Sequence, residues 1–226
     1  MRFVRDALRC AALTLPALAG SAQAQLGGSI VVASDERFRG ISLSGEQPTA
    51  RATLSYDGAG GGYAGLSLAA LRIQPDPRRP VWLAFAGRGG AVGSTLRWDA
   101  GATYTHWNGD DSYDYGEAYL GIGSERWSLR LNYAPDYFGR GKATLYAEAE
   151  GRLPLAPSWR LVGHGGALRR ADGGAPTRLD ARLGIVLRAA DLDWQLAGVT
   201  ATRSGPYALP WQQHASRLVG SVAWAF

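Results

Sequence analysis

The last ten residues, Arg217 to Phe226, alternate in character. Leu218, Gly220, Val222, Trp224 and Phe226 make one apolar, aromatic or small parity, and the other carries Arg217 and Ser221. In a strand these two sets point to opposite faces of the sheet. The alternation runs up to an aromatic at the last position. An open sheet edge at such a place invites pairing with other chains, whereas a closed barrel pairs its last strand with its first. The stretch therefore predicts a closed, all-β sheet.

The same pattern recurs along the chain. From Ser94 to Trp107, Leu96, Trp98, Ala100, Ala102 and Tyr104 share one parity, and Thr95, Arg97, Asp99, Gly101, Thr103 and Thr105 share the other. Leu179, Ala181, Leu183, Ile185 and Leu187 alternate with Arg178, Asp180, Arg182 and Arg188; Trp127, Leu129, Leu131 and Tyr133 alternate with Ser128, Arg130 and Asn132. Twelve such segments are expected, at 28–38, 48–57, 62–73, 81–90, 94–107, 113–124, 126–138, 142–153, 159–170, 178–189, 191–203 and 215–226. A soluble β-sandwich or lipocalin-like barrel would share the alternation. It would leave many Trp, Tyr and Leu side chains facing water with no second sheet to cover them.

Residues 1–24 read as a secretory signal peptide. Arg2, Arg5 and Arg9 supply the positive start, Ala11 to Ala19 a short apolar core, and Ala22-Gln23-Ala24 a small-x-small cleavage site. The domain expected after it is 25–226. Cys10, the single cysteine, lies before the apolar core, so no disulfide framework or thiolate metal site is expected in the exported chain. Removing the signal takes away three arginines and one aspartate, and the formal charge falls from +5 to +3. No basic run is long enough to track phosphates, so nucleic acid is not an expected partner. After residue 24 no apolar run approaches the roughly 20 residues of a membrane-spanning helix. If the chain crosses a membrane it does so with strands. Arginine or lysine facing lipid at mid-membrane costs about 2–4 kcal/mol each, so the apolar parity belongs on the lipid side and the charged parity in the lumen.

The connections alternate in length, as in an up-and-down barrel with an even strand count and both termini in the periplasm. Trp127, Trp159, Trp194, Trp224 and Phe226 then gather at the periplasmic rim. Tyr104, Trp107, Tyr113, Tyr137, Tyr207 and Trp211 gather at the outer rim, which gives two aromatic girdles.

Two stretches have a familiar form. Ser34-Asp-Glu-Arg-Phe-Arg-Gly-Ile-Ser42, followed by Pro48 and Gly62-Tyr-Ala-Gly65, resembles the opening of the Gcw_chp family of proteobacterial proteins, with Glu36 and Leu43 departing from its pattern. Tyr133-Ala-Pro-Asp-Tyr-Phe138 is similar to a second segment of that family. The resemblance implies an outer-membrane β-barrel and no catalytic residues, cofactor or activity. Leu218, Val222, Trp224 and Phe226 resemble the terminal assembly signal of bacterial outer-membrane barrels. The expected partners are therefore the barrel assembly machinery, outer-membrane lipids and lipopolysaccharide.

The expected lumenal set is Arg97, Asp99, Arg130, Glu148, Glu150, Asp180, Arg182 and Arg188, with Arg37 and Arg39 at the outer mouth, where Gly40 permits a bend. Two readings of the mouth arginines stand: a cationic entrance selecting anions, or pairing with lumenal carboxylates such as Glu117, Glu148, Glu150 or Asp180. The outer connections are short, so no large folded-in plug is expected. Exchanging Arg37 and Arg39 for glutamate should change ion preference and leave the barrel folded. The expected function is a narrow channel for small polar solutes with weak anion preference.

Enzymatic signatures are sparse. The histidines His106, His164 and His214 form no H-E-x-x-H motif, and there is no G-x-S-x-G elbow. No metal or other cofactor is expected, although weak Ca²⁺ binding at Asp110, Asp111 and Asp114 is conceivable from a turn of this composition. His214-Ala-Ser216 sets a base and a hydroxyl on one strand face, similar to the His-x-Ser pair of outer-membrane lipid A deacylases, but Arg217 follows where that pattern has Asn. This leaves a lipid-modifying enzyme as an alternative. A closed structural or surface-recognition barrel with Tyr207 and Trp211 in its last loop is another.

Overall fold

A computed structural model describes residues 25–73, 76–206 and 215–226. Its strands are β1 (Gln25–Ala33), β2 (Arg37–Phe38), β3 (Ile41–Ser42), β4 (Thr49–Asp57), β5 (Gly62–Leu71), β6 (Arg79–Val92) and β7 (Leu96–Trp107). They continue with β8 (Tyr115–Gly123), β9 (Trp127–Ala134), β10 (Thr144–Ala156), β11 (Trp159–Arg170), β12 (Arg178–Ala189), β13 (Leu192–Ala201) and β14 (Ser216–Ala225). β2 and β3 pair only with each other. The other twelve form one closed antiparallel barrel in which each strand neighbours the next in sequence.

Closure occurs between the two ends of the chain. β14 pairs with β1 from Ser29 opposite Ala225 to Ala33 opposite Ser221. Phe226 extends the ladder, with Gly28 N–H donating to its carbonyl at 2.9 Å and its own N–H donating to Gly28 O at 3.0 Å. Among the described residues the barrel has no open strand edge, so its ladder groups pair internally, and an outer surface that meets lipid can be apolar. That surface carries Leu26, Leu120, Leu183 and Leu218, the last 68% exposed. Trp127, Trp159, Trp194, Trp224 and Phe226 are exposed at the end of the barrel that carries the short turns.

The structure departs from the sequence-based boundaries at one revealing place. The first strand ends at Ala33 rather than at residue 38. Residues 34–47 turn into the barrel, and the β2–β3 hairpin lies within it. A second segment, 135–143, also turns inward, placing Tyr137 and Phe138 in the interior. The expectation that the outer connections are too short for a folded-in plug is therefore wrong. A short connection fills a narrow lumen once it carries apolar residues such as Ile41 and Leu43.

The outer girdle is smaller than expected for the same reason. Tyr104 is exposed, but Trp107 is only 2% exposed and Tyr137 is fully buried. Trp107 falls on the inward parity of β7 with Thr103 and Thr105, so its ring enters the lumen. Tyr207 and Trp211 lie outside the described residues.

Candidate functional site

The outer half of the lumen is a packed core. The inward ends of the strands contribute Ala69, Leu71, Val81, Trp107, Tyr115, Ala134, Tyr146 and Leu168. The two folded-in segments complete it with Ile41 and Leu43, and with Tyr137 and Phe138. The rings interlock by edge contacts, Tyr137 to Phe138 at 4.7 Å and Tyr115 to Tyr137 at 5.1 Å between centroids. Burial pushes the Tyr137 hydroxyl above its ordinary pKa, against the opposing pull of Arg39.

Arg39 is the polar anchor of this core. Its Nη1 donates to Glu117 Oε1 at 2.7 Å and its Nη2 to Oε2 at 2.9 Å, a two-point fork onto β8. The guanidinium also lies 4.3 Å from the Tyr146 ring centroid and 4.5 Å from that of Phe38. Arg39 takes a left-handed φ of 49°, followed by Gly40 at φ 75°, and this bend points the side chain at the far wall. Of the two readings of the mouth arginines, Arg39 follows the second, with Glu117 as its carboxylate. Arg37 pairs instead within its own segment, to Asp35 at 2.7 Å and Glu46 at 3.4 Å. Neither is a free cationic mouth. The rim position expected for Arg39 is corrected too: it is buried in the middle of the packing.

The segment is tied down at further points, among them bonds from Arg72 N–H to Leu43 O at 2.7 Å and from Arg78 Nη2 to Ser44 O at 3.3 Å. Arg51 of β4 bonds Glu36, and Arg217 of β14 donates to Glu46 at 2.9 Å. Asp35 accepts from Ser42 at 2.6 Å and Ser44 at 3.0 Å, which closes the hairpin on itself.

Beneath the plug is a cavity of ≈ 200 Å³. One wall bears Arg130, Tyr146, Glu148, Glu150, His164 and Arg182; the other bears Ser29, Thr53 and Ser221 beside Arg51. Most of the charges are matched. Asp99 accepts from Arg130 at 2.6 Å and from Tyr63 at 3.3 Å. Asp180 lies 3.0 Å from His164 Nε2, and Glu150 lies 3.6 Å from Arg182. Glu148 accepts from Asn132 at 3.2 Å. Towards the opposite end Arg160 donates to Asp193 at 2.6 Å, with Arg188 at 3.7 Å from the same carboxylate. Arg97 is exposed near the start of β7 and takes no part in these networks. Asp99, Arg130, Glu148, Glu150, Asp180, Arg182 and Arg188 take part in these contacts, and Arg160 and Asp193 join them.

A family model described as a bacterial protein of unknown function (Gcw_chp) matches residues 17–209. The chain belongs to the Gcw_chp family. Of the stretches that carried the resemblance to Gcw_chp, Ser34–Ser42 turns inward, and Tyr133–Phe138 does so from residue 135 on. They meet where Arg39 faces the Tyr137 ring at 5.2 Å. A search of curated proteins finds no match for this Gcw_chp chain. Solved structures do match its fold. The KdgM porin superposes with a TM-score of 0.58 at 11% identity, over 88% of this chain and 99% of the porin. A KdgM porin in complex with disordered oligogalacturonate gives 0.56 at 11% identity, over 89% and 98%. At such identities the likeness establishes the fold alone, a closed antiparallel β-barrel like that of the porin.

The weaker candidates are placed as follows in this Gcw_chp barrel. Ser216 is exposed and its Oγ shares a 2.7 Å hydrogen bond with Thr200 Oγ1; His214 lies outside the described residues. Of the acidic turn, Asp111 and Asp114 gather with His106, their nearest oxygens and nitrogens within 4.8 Å of one another. Asp114 is already engaged, by His106 Nδ1 at 2.6 Å and Trp107 N–H at 2.7 Å. Asp110 is not in that group and caps Ser112 instead.

The sequence reading left Arg51 and Trp107 out of the lumen's chemistry. Both follow the inward parity of their strands, and that parity was the signal available to find them.

Proposed function

We propose that this protein is a gated, narrow conduit for small polar solutes across the bacterial outer membrane, with a weak preference for anions. One observation carries the reading: a cavity with charged side chains in its wall lies directly under a plug whose side-chain ties to the wall include three ion pairs. Arg39–Glu117, Arg51–Glu36 and Arg217–Glu46 can separate and re-form without breaking the barrel's ladder. Passage then requires the 34–47 segment to move, and the matched lumenal charges leave only a small net field to select ions. The similar KdgM porin in complex with disordered oligogalacturonate is compatible with a lumen that accepts an anionic solute.

Planar-bilayer recording tests this. The wild type should show brief, small openings, and a variant with residues 36–46 replaced by a short Gly-Ser turn should conduct steadily. Silence from both would remove the conduit reading.

A second reading has an observation of its own. The apolar core around Trp107, Tyr137 and Leu168 is packed like a protein interior, which favours a barrel that stays closed and serves as a structural or recognition element. The same recordings separate the two, since a permanently seated plug predicts no openings in the wild type.

A further inference from the structure

Among the described residues, the outer end of the lumen holds a cation that these networks do not complete. Arg178 opens β12 on the inward parity, two residues before Asp180, and is 1% exposed. Leu168 and Gly205 pack against it, and the Tyr137 hydroxyl and the Asp180 carboxylate are its electrostatic neighbours. Leu168 stands opposite it on β11 and is itself fully buried. Gly205 closes over it so tightly that a Cβ at residue 205 would lie 2.6 Å from the Arg178 Cβ. Arg178 Nε and Nη2 are both buried and have no hydrogen-bond partner. Among the described residues no carboxylate forms an ion pair with it. Arg39, Arg130 and Arg160, by contrast, each donate to a carboxylate.

The identity of the two orphaned donors matters. Nε–H and Nη2–H lie on one edge of the guanidinium plane and point the same way, so together they match two oxygens of a single carboxylate or phosphate. A buried guanidinium with no directly paired carboxylate is among the least favourable arrangements a fold can keep. Asp180, the nearest acid along the strand, is committed elsewhere, to His164 and Tyr146. A bound oxyanion would answer both the missing charge and the missing acceptors.

We propose that Arg178 is an oxyanion-binding residue at the outer end of the lumen, taking a carboxylate or phosphate group of a small solute on its Nε–Nη2 edge. This names the group that the anion preference reads. It rests on the conduit reading only in assigning that group to a passing solute; the site itself stands on burial and geometry. It also moves the selecting residue away from Arg37 and Arg39, whose charges are matched within the plug and by Glu117.

The experiment compares wild type, Arg178→Gln and Arg178→Lys, each purified in detergent. The thermal unfolding midpoint, read as loss of the compact band on unheated gels, is measured in sodium acetate, sodium phosphate and sodium chloride at equal ionic strength. One or both oxyanions should raise the wild-type midpoint saturably above its chloride value, and which one does so identifies the preferred group. Arg178→Gln should fold, since it removes the buried charge, and should show no oxyanion effect. Arg178→Lys keeps the charge without the fork and should show a weaker one. An equal oxyanion effect in wild type and Arg178→Gln, or none in wild type, would overturn the proposal and leave water as the partner of this edge. Bilayer recordings on the same samples keep the two readings apart. An Arg178-dependent midpoint shift in a protein that never conducts supports the site and removes the conduit.

Discussion

The ring of Phe226 lies across the backbone of Gly28, so close that a Cβ at residue 28 would sit 2.6 Å from it. The two residues also exchange both backbone hydrogen bonds. The last side chain of the protein thus covers a bare stretch of its first strand, stacked beside Trp224 at 4.7 Å between centroids. Phe226→Asp should lose this cover and place a charge at the closing seam. The expected result is loss of the heat-modifiable, membrane-inserted form, with Phe226→Trp largely retaining it. Normal surface levels of Phe226→Asp would show that the seam closes without the ring.

Glu117→Gln tests the anchor of the plug. It leaves Arg39 buried without its counter-charge, and breaking one side of a buried pair typically costs about 3–5 kcal/mol. That cost falls on the seated plug rather than on the ladder, so openings in bilayers should become far more frequent while the compact gel band persists. An apolar pair, Arg39→Met with Glu117→Leu, should lie closer to wild type. Unchanged opening frequency in Glu117→Gln would mean that the pair does not hold the plug.

Two tryptophans separate interior from girdle. Trp107→Ala empties a site that is 2% exposed and should destabilise the barrel by about 3–5 kcal/mol, as for large aromatics in cores. Trp127→Ala removes a ring that is 42% exposed and should cost much less. Denaturant unfolding of the two variants in detergent measures the difference, and equal losses would contradict the inward placement of Trp107.

The Arg37 and Arg39 double exchange for glutamate is now expected to do more than alter ion preference. It would set two carboxylates at positions 39 and 117 against each other in a buried site and add a third acid beside Asp35 and Glu46. The compact band should weaken and conductance should rise. A fully stable variant whose only change is its reversal potential would restore the rim picture.

Ser216→Ala should leave the mass spectrum of lipid A unchanged. Its hydroxyl is already shared with Thr200, and among the described residues it has no base beside it. A lost modification in that spectrum would revive the enzymatic alternative.

The barrel itself was legible because its physics is local. Leu96 to Trp107 displays lipid and lumen faces residue by residue, and the cost of a charge in lipid says which face is which. The plug was not legible in the same way. Arg37 and Phe38 continue the alternation of β1, so parity alone extends that strand five residues too far. The fork from Arg39 to Glu117 joins positions 78 apart, which no local pattern encodes. A usable signal did exist in Ile41 and Leu43, whose apolar side chains would have little reason to sit in a water-exposed loop. An aromatic at a strand end suggests a girdle position, but the parity of Trp107 assigns it to the inside, and the structure follows the parity.

The bond from Arg217 to Glu46 joins the last strand to the segment that fills the mouth. Because β14 also pairs with β1, the strand that leads into this segment, one residue of the closing strand holds both the seam and the plug. Seating of the plug and closure of the cylinder are thereby coupled, and a change at residue 217 should be felt in the stability of the seam as well as in permeation.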